Sequence, residues 1–207
     1  MNPARLYDLM APIYGPAWRA IRPWWRYSVA ALPWLPEAGA VLEIGPGPGL
    51  LHEQLAGRSD LLVGLDISAE MLRRTQARLA ARHLPARLVR GDAQVLPFAA
   101  ASFDAIVMTF VFSAIPDGYR AMREFVRALR PGGVLVIVDA CIPADDNLPA
   151  RALARMWALF GDQMRDEAAL MRAAGLEIIE KREFGVFHSI RITVGRKSGS
   201  EKRLVIQ

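Results

Sequence analysis

The chain has 207 residues, 53% of them hydrophobic and 23% charged, which is the size and balance of one folded domain with its own core. One cysteine, Cys141, and three histidines exclude a disulfide framework and a cysteine-rich metal site, so no metal is expected. The net charge is +5, but the basic residues, all but three of them arginine, are spread out rather than gathered into a nucleic-acid-binding stretch, and no apolar run is long enough to span a bilayer.

Residues 1–36 differ from the rest. They hold Trp18, Trp24, Trp25 and Trp34, Tyr7, Tyr14 and Tyr27, and four arginines against Asp8. The spacing predicts helices near 4–10 and 17–32, with a kink or restart at Pro23. The first residues include Asp8 and two prolines, do not read as a secretory leader, and give the cytoplasm as the expected location. From residue 40 the pattern becomes regular. Strands are expected at 40–44, 61–66, 86–92, 103–110 and 134–139, and helices at 49–57, 69–83 and 118–129. RPGG at 130–133 reads as a turn. Helices at 148–160 and 166–174 follow, then strands at 176–184 and 186–195 joined through Gly185. Alternating strands and helices, with strands apolar throughout, imply an α/β fold: a mostly parallel sheet covered on both faces. The short last connection requires an antiparallel hairpin. The expected organisation is a helical lid or substrate segment at 1–36, a main domain at 37–196 and a flexible tail at 197–207.

VLEIGPGPG at 41–49 follows a strand and opens a helix, with Gly45, Gly47 and Gly49 letting the backbone turn tightly beside a ligand. Leu50 departs from a dinucleotide fingerprint, and Pro46 and Pro48 remove two backbone donors. Glu43 puts a carboxylate beside the loop, which repels a pyrophosphate and suits an amine-bearing or cationic ligand. Leu50 and Glu43 argue against a nicotinamide cofactor. Asp66 ends the second strand, where a carboxylate can accept ribose hydroxyls. It also competes with Ser68 as a helix cap. Asp92 ends the third strand, where it can accept from an adenine amino group beside the Ala93 N–H.

Together VLEIGPGPG, GLDIS (64–68), GDAQVLPF (91–98), FDAIVMTFVFSAIPD (103–117) and LRPGGVLVIVD (129–139) resemble the ordered motifs of class I S-adenosylmethionine-dependent methyltransferases. The resemblance implies a Rossmann-like three-layer sandwich with a seven-stranded sheet, order 3-2-1-4-5-7-6, strand 7 antiparallel, and S-adenosylmethionine as cofactor. It implies that Glu43, Gly45, Gly47 and Gly49 hold the methionine part and Asp66 the ribose. Ile67 would pack on adenine, Asp92 and Ala93 bind its edge, and Thr109 and Phe110 line the pocket near the methyl group. YDLMAPIYG (7–15) further resembles the quinone-biosynthesis C-methyltransferases and bacterial phosphatidylethanolamine N-methyltransferases.

That resemblance gives a small, lipid-like acceptor as the expected partner, with a phospholipid amine or binding without turnover as alternatives. Tyr14 and His188 are the candidates for a base or positioning role, while Asp117 reads as a turn or cap residue and His52 as a helix-surface residue. The aromatic, arginine-rich stretch 17–36 suggests contact with the inner face of a membrane, with a plain sheet cover as the other reading. Nucleic acid is not an expected partner.

Overall fold

In the computed structural model, the described residues are 26–199 apart from 146, 160 and 161. Tyr14, Trp18, Trp24, Trp25 and most of the expected lid lie outside them. Among the described residues the chain forms one seven-stranded sheet, order β3-β2-β1-β4-β5-β7-β6. At its centre β1 (Ala40–Ile44) pairs in parallel with β2 (Leu61–Asp66) on one side and β4 (Phe103–Thr109) on the other. β3 (Leu88–Arg90) extends β2 in parallel, and β5 (Leu129–Ala140) extends β4. β7 (Ile190–Lys197) runs antiparallel between β5 and β6 (Leu176–Phe184).

The helices are α1 (Leu50–Leu55), α2 (Ala69–Ala80), α3 (Gly118–Ala128), α4 (Leu148–Leu159) and α5 (Glu167–Ala173). Alternate residues of the central strands feed two cores. Leu42, Ile44, Ile106 and Met108 pack with Met122 and Phe125 of α3 and Met171 of α5. Val41, Ala105 and Val107 face the other way, toward Leu51 and Leu55 of α1 and Ala31 and Leu35. Each of the larger buried side chains contributes about 1.5–3 kcal/mol, so the sheet is stabilised from both faces. A 3-10 turn at Val29–Trp34 leads into β1 from that second side.

Three boundaries differ from expectation. RPGG does not end an element: pairing passes from Phe103↔Leu129 to Ala105↔Val134, so 130–133 bulge out of a longer β5, with Gly132 at φ 80°. β3 covers only Leu88–Arg90 of the expected 86–92. The last hairpin is joined by residues 185–189, including a 3-10 turn at Val186–His188, so His188 lies in the connection rather than on β7. No helix among the described residues is long and apolar enough to cross a membrane.

Candidate functional site

The C-terminal ends of β1, β2 and β4 border a cavity of about 370 Å³. Its floor is the glycine loop. Gly45 sits at φ 64° and donates its N–H to the Leu65 carbonyl at 2.7 Å. A Cβ there would stand 2.4 Å from Val111 Cγ2, so only glycine lets β1 turn against the end of β4. Gly49 caps α1 from the left-handed region, φ 79°.

Asp66 is buried at the end of β2. Its carboxylate accepts from the Ser68 N–H at 2.9 Å and the Gly47 N–H at 3.4 Å. Ser68 Oγ accepts from Met71 N–H and caps α2, which leaves Asp66 to tie the glycine loop to the strand end. Burial pushes the Asp66 carboxyl up to about 6, against the pull of both amide donors, and the negative charge of Glu43 adds to the rise. Ile67 and Ala93 border the cavity, as does half-buried Asp92, whose carboxylate accepts from the Gln94 backbone at 2.8 Å and its side chain at 3.0 Å.

The opposite wall begins with Thr109 and Phe110. Phe110 holds φ 57°, a left-handed conformation uncommon for a side-chain-bearing residue, and is pinned there by its N–H donating to the Val138 carbonyl at 2.8 Å. A clasp reached from far along the chain holds residues 111–116 behind it. Asp139 accepts from Ser113 N–H at 2.9 Å and Ser113 Oγ–H at 3.1 Å. Arg165 donates to the carbonyls of Phe112, Ile115 and Pro116 at 2.9, 2.6 and 2.9 Å, and its guanidinium lies over the Phe112 ring. Asp139 is fully enclosed; burial lifts its carboxyl to about 7, and nearby Glu167 raises it further. Neither Asp139 nor Arg165 is a candidate from sequence, because no local pattern shows a partner 26 to 53 residues away.

Glu43 lies on the α1 side of β1, 1% exposed, with its Oε2 2.7 Å from His52 Nδ1. His52 is 0% exposed, which corrects its expected place on the helix surface. The signal for this lay in β2: Gly64 interrupts an apolar strand, and a Cβ there would meet His52 Cε1 at 2.9 Å. His188 is mostly exposed in the β6–β7 connection, its Nδ1 3.0 Å from Asp145 Oδ2, and it does not line the cavity. Asp117 accepts from Arg120 N–H and caps α3. No cluster of three metal-ligating side chains occurs among the described residues.

The cavity lining is mostly glycine, proline and aliphatic residues, and its charged groups among the described residues are Glu43, Asp66 and Asp92, with no lysine or arginine. A phosphate has no counter-charge in such a lining, and two prolines have removed donors from the loop that would cradle it. A ligand with a cationic end, hydroxyls and a flat apolar ring fits these donors and acceptors.

Residues 42–137 match a family of methyltransferase domains. A ubiquinone/menaquinone biosynthesis C-methyltransferase of Geotalea daltonii is 30% identical over 148 residues, 67% of this chain and 63% of that protein. The chain spans about half to two thirds of the length of the curated relatives it matches. A Haloferax volcanii protein solved with the methyltransferase activator Trm112 has the same fold: TM-score 0.77, 20% identity, covering 93% of this chain and 97% of that one. So does the [4+2]-cyclase SpnF, with TM-score 0.72 and 18% identity over 95% of each chain.

Proposed function

The chain belongs to the class I S-adenosylmethionine-dependent methyltransferases, and from that premise we propose that it moves a methyl group from S-adenosylmethionine to a small, lipid-like acceptor, a quinone-type ring carbon or oxygen. One observation carries the reading of the cavity: among the described residues its charged lining is three carboxylates on a glycine floor, with no lysine or arginine. When bound, the cofactor supplies an electrophilic methyl group on a sulfonium sulfur.

In this reading Glu43 takes the ammonium of the methionine part, beside Gly45, Gly47 and Gly49. Asp66 accepts the ribose hydroxyls. That role needs the ionised carboxylate, which a group titrating near 6 supplies at neutral pH. Ile67 packs against the adenine, and Asp92 with the Ala93 N–H takes its edge. Thr109 and Phe110 face the reacting end, and the clasped wall behind them excludes water and fixes the line of approach. Alignment of that kind supplies much of the rate of an in-line displacement. Ser28, buried and bordering the cavity, brings the described end of the 1–36 segment to the site, and Tyr14 of that segment is the proton-handling or positioning residue of this reading.

The quinone methyltransferase among the relatives supports a quinone-type acceptor, with a phospholipid amine as the alternative. The likeness to a cyclase favours a second reading in one respect: the fold also serves chemistry other than methyl transfer, so binding without turnover is the competing outcome. The test is transfer of radiolabelled methyl from S-adenosylmethionine into a cell extract split into lipid and aqueous fractions. Label in the lipid fraction supports the proposal. Label in the aqueous fraction alone refutes the lipid-like acceptor, and no label despite cofactor binding refutes turnover on acceptors in that extract. Flotation with anionic liposomes tests membrane contact through 17–36; protein left at the bottom of the gradient contradicts it.

A further inference from the structure

The cofactor reading gives no role to the buried His52. His52 contributes nothing to the cavity surface, yet the fold makes room for it at a cost. Gly64 leaves the space its ring fills inside an apolar strand, and Leu51 and Leu55 beside it are ordinary core residues. Its Nδ1 lies 2.7 Å from Glu43 Oε2, in a place where neither side chain meets solvent. Among the described residues, Nε2 has no hydrogen-bond partner.

A proton on Nδ1 donates to the carboxylate. The contact fixes Oε2 and with it the orientation of the Glu43 carboxylate. Glu43 also borders the cavity, and with Oε2 engaged by His52 the second carboxylate oxygen is the one left for a ligand. A free glutamate side chain would have three rotatable bonds to order on binding, and the imidazole orders them in advance.

We infer that His52 is a positioning residue for the cofactor's amino-acid end: it fixes the Glu43 carboxylate so that its free oxygen receives the ligand ammonium. The inference rests on the proposed S-adenosylmethionine site, and its test separates the two. The probes are S-adenosylhomocysteine, which carries the ammonium, and 5′-methylthioadenosine, which lacks the amino-acid part. Each is titrated into the wild-type protein, His52→Leu and His52→Asn, whose amide can donate from near the Nδ1 position.

His52→Leu should weaken S-adenosylhomocysteine about tenfold, the loss of one charge-assisted contact, and leave methylthioadenosine nearly unchanged. His52→Asn should recover most of the lost affinity. Equal weakening of both probes, or of neither, overturns the inference and returns His52 to the core. A second measurement needs no variant. The ring nitrogen resonances of His52 in the wild-type protein should move when S-adenosylhomocysteine is added and stay in place with methylthioadenosine; identical responses to both overturn the inference. Wild-type protein that binds neither probe instead overturns the cofactor site and takes the His52 role with it.

Discussion

The two walls of the cavity are built by different means. On the β1/β2 side, the Asp66 carboxylate accepts from the Gly47 and Ser68 N–H groups and Gly45 N–H donates to the Leu65 carbonyl, all inside two short sequence stretches. On the β4 side, residues 111–116 are irregular and stay in place because Asp139 and Arg165 grip them from 26 and 53 residues away. The first wall is a local device, glycine turns whose N–H groups gather on a neighbouring strand-end carboxylate. The second is a tertiary device and depends on buried charge. Their meeting point is Gly45 against Val111, where there is no room for a methyl group.

That contrast can be broken from either side. The largest effect should come from Arg165→Ala, which strips three carbonyls of a charged donor and lowers stability by about 3 kcal/mol. Urea unfolding measures it, and affinity for S-adenosylhomocysteine should stay close to wild type if the two walls are separable.

Acidity should act next, through the two buried carboxyls of the site. Asp66 and Asp139 are raised in the fold to about 6 and about 7 from an ordinary 3.8. The folded protein therefore holds protons that the unfolded chain gives up, and stability falls as pH rises from about 4 to about 7. Urea midpoints at pH 5 and 7.5 should show the loss, and Asp66→Asn should shrink it; a midpoint that rises with pH contradicts the burial of these groups. Ligand affinity should run the other way, weakening below about pH 6 as Asp66 takes up its proton.

Gly45→Ala should cost about 2 kcal/mol, roughly half from left-handed backbone strain and the rest from the Val111 collision. Adding Val111→Ala should recover the second part, as a double-mutant thermal melt can show. The smallest effect belongs to Ser68→Ala, about 1 kcal/mol for the lost cap of α2, with Asp66 left in place to hold the loop.

The same contrast explains what could be read from the amino-acid sequence. β1 and β2 occupy 40–44 and 61–66 as expected, because each is an apolar run buried on both faces and bounded by turn residues. The glycine loop and the three acids reach one cavity because strand ends in a parallel sheet share an edge. His52 was misread because a lone polar residue after a loop looks solvated unless Gly64, across the sheet, is read with it. The Asp139 and Arg165 clasp has no periodicity and no motif; it exists only once β5 and the 162–165 segment are folded against the end of β4. RPGG carries turn residues, but its neighbours continue the ladder on both sides, so pairing absorbs the turn as a bulge.

The most direct test is calorimetric titration of S-adenosylhomocysteine into the wild-type protein and Asp66→Ala. The expected result is saturable one-site binding that the substitution weakens by roughly 1–3 kcal/mol, the worth of a buried charged hydrogen bond. No binding to the wild-type protein, or equal affinity in both, would contradict the site.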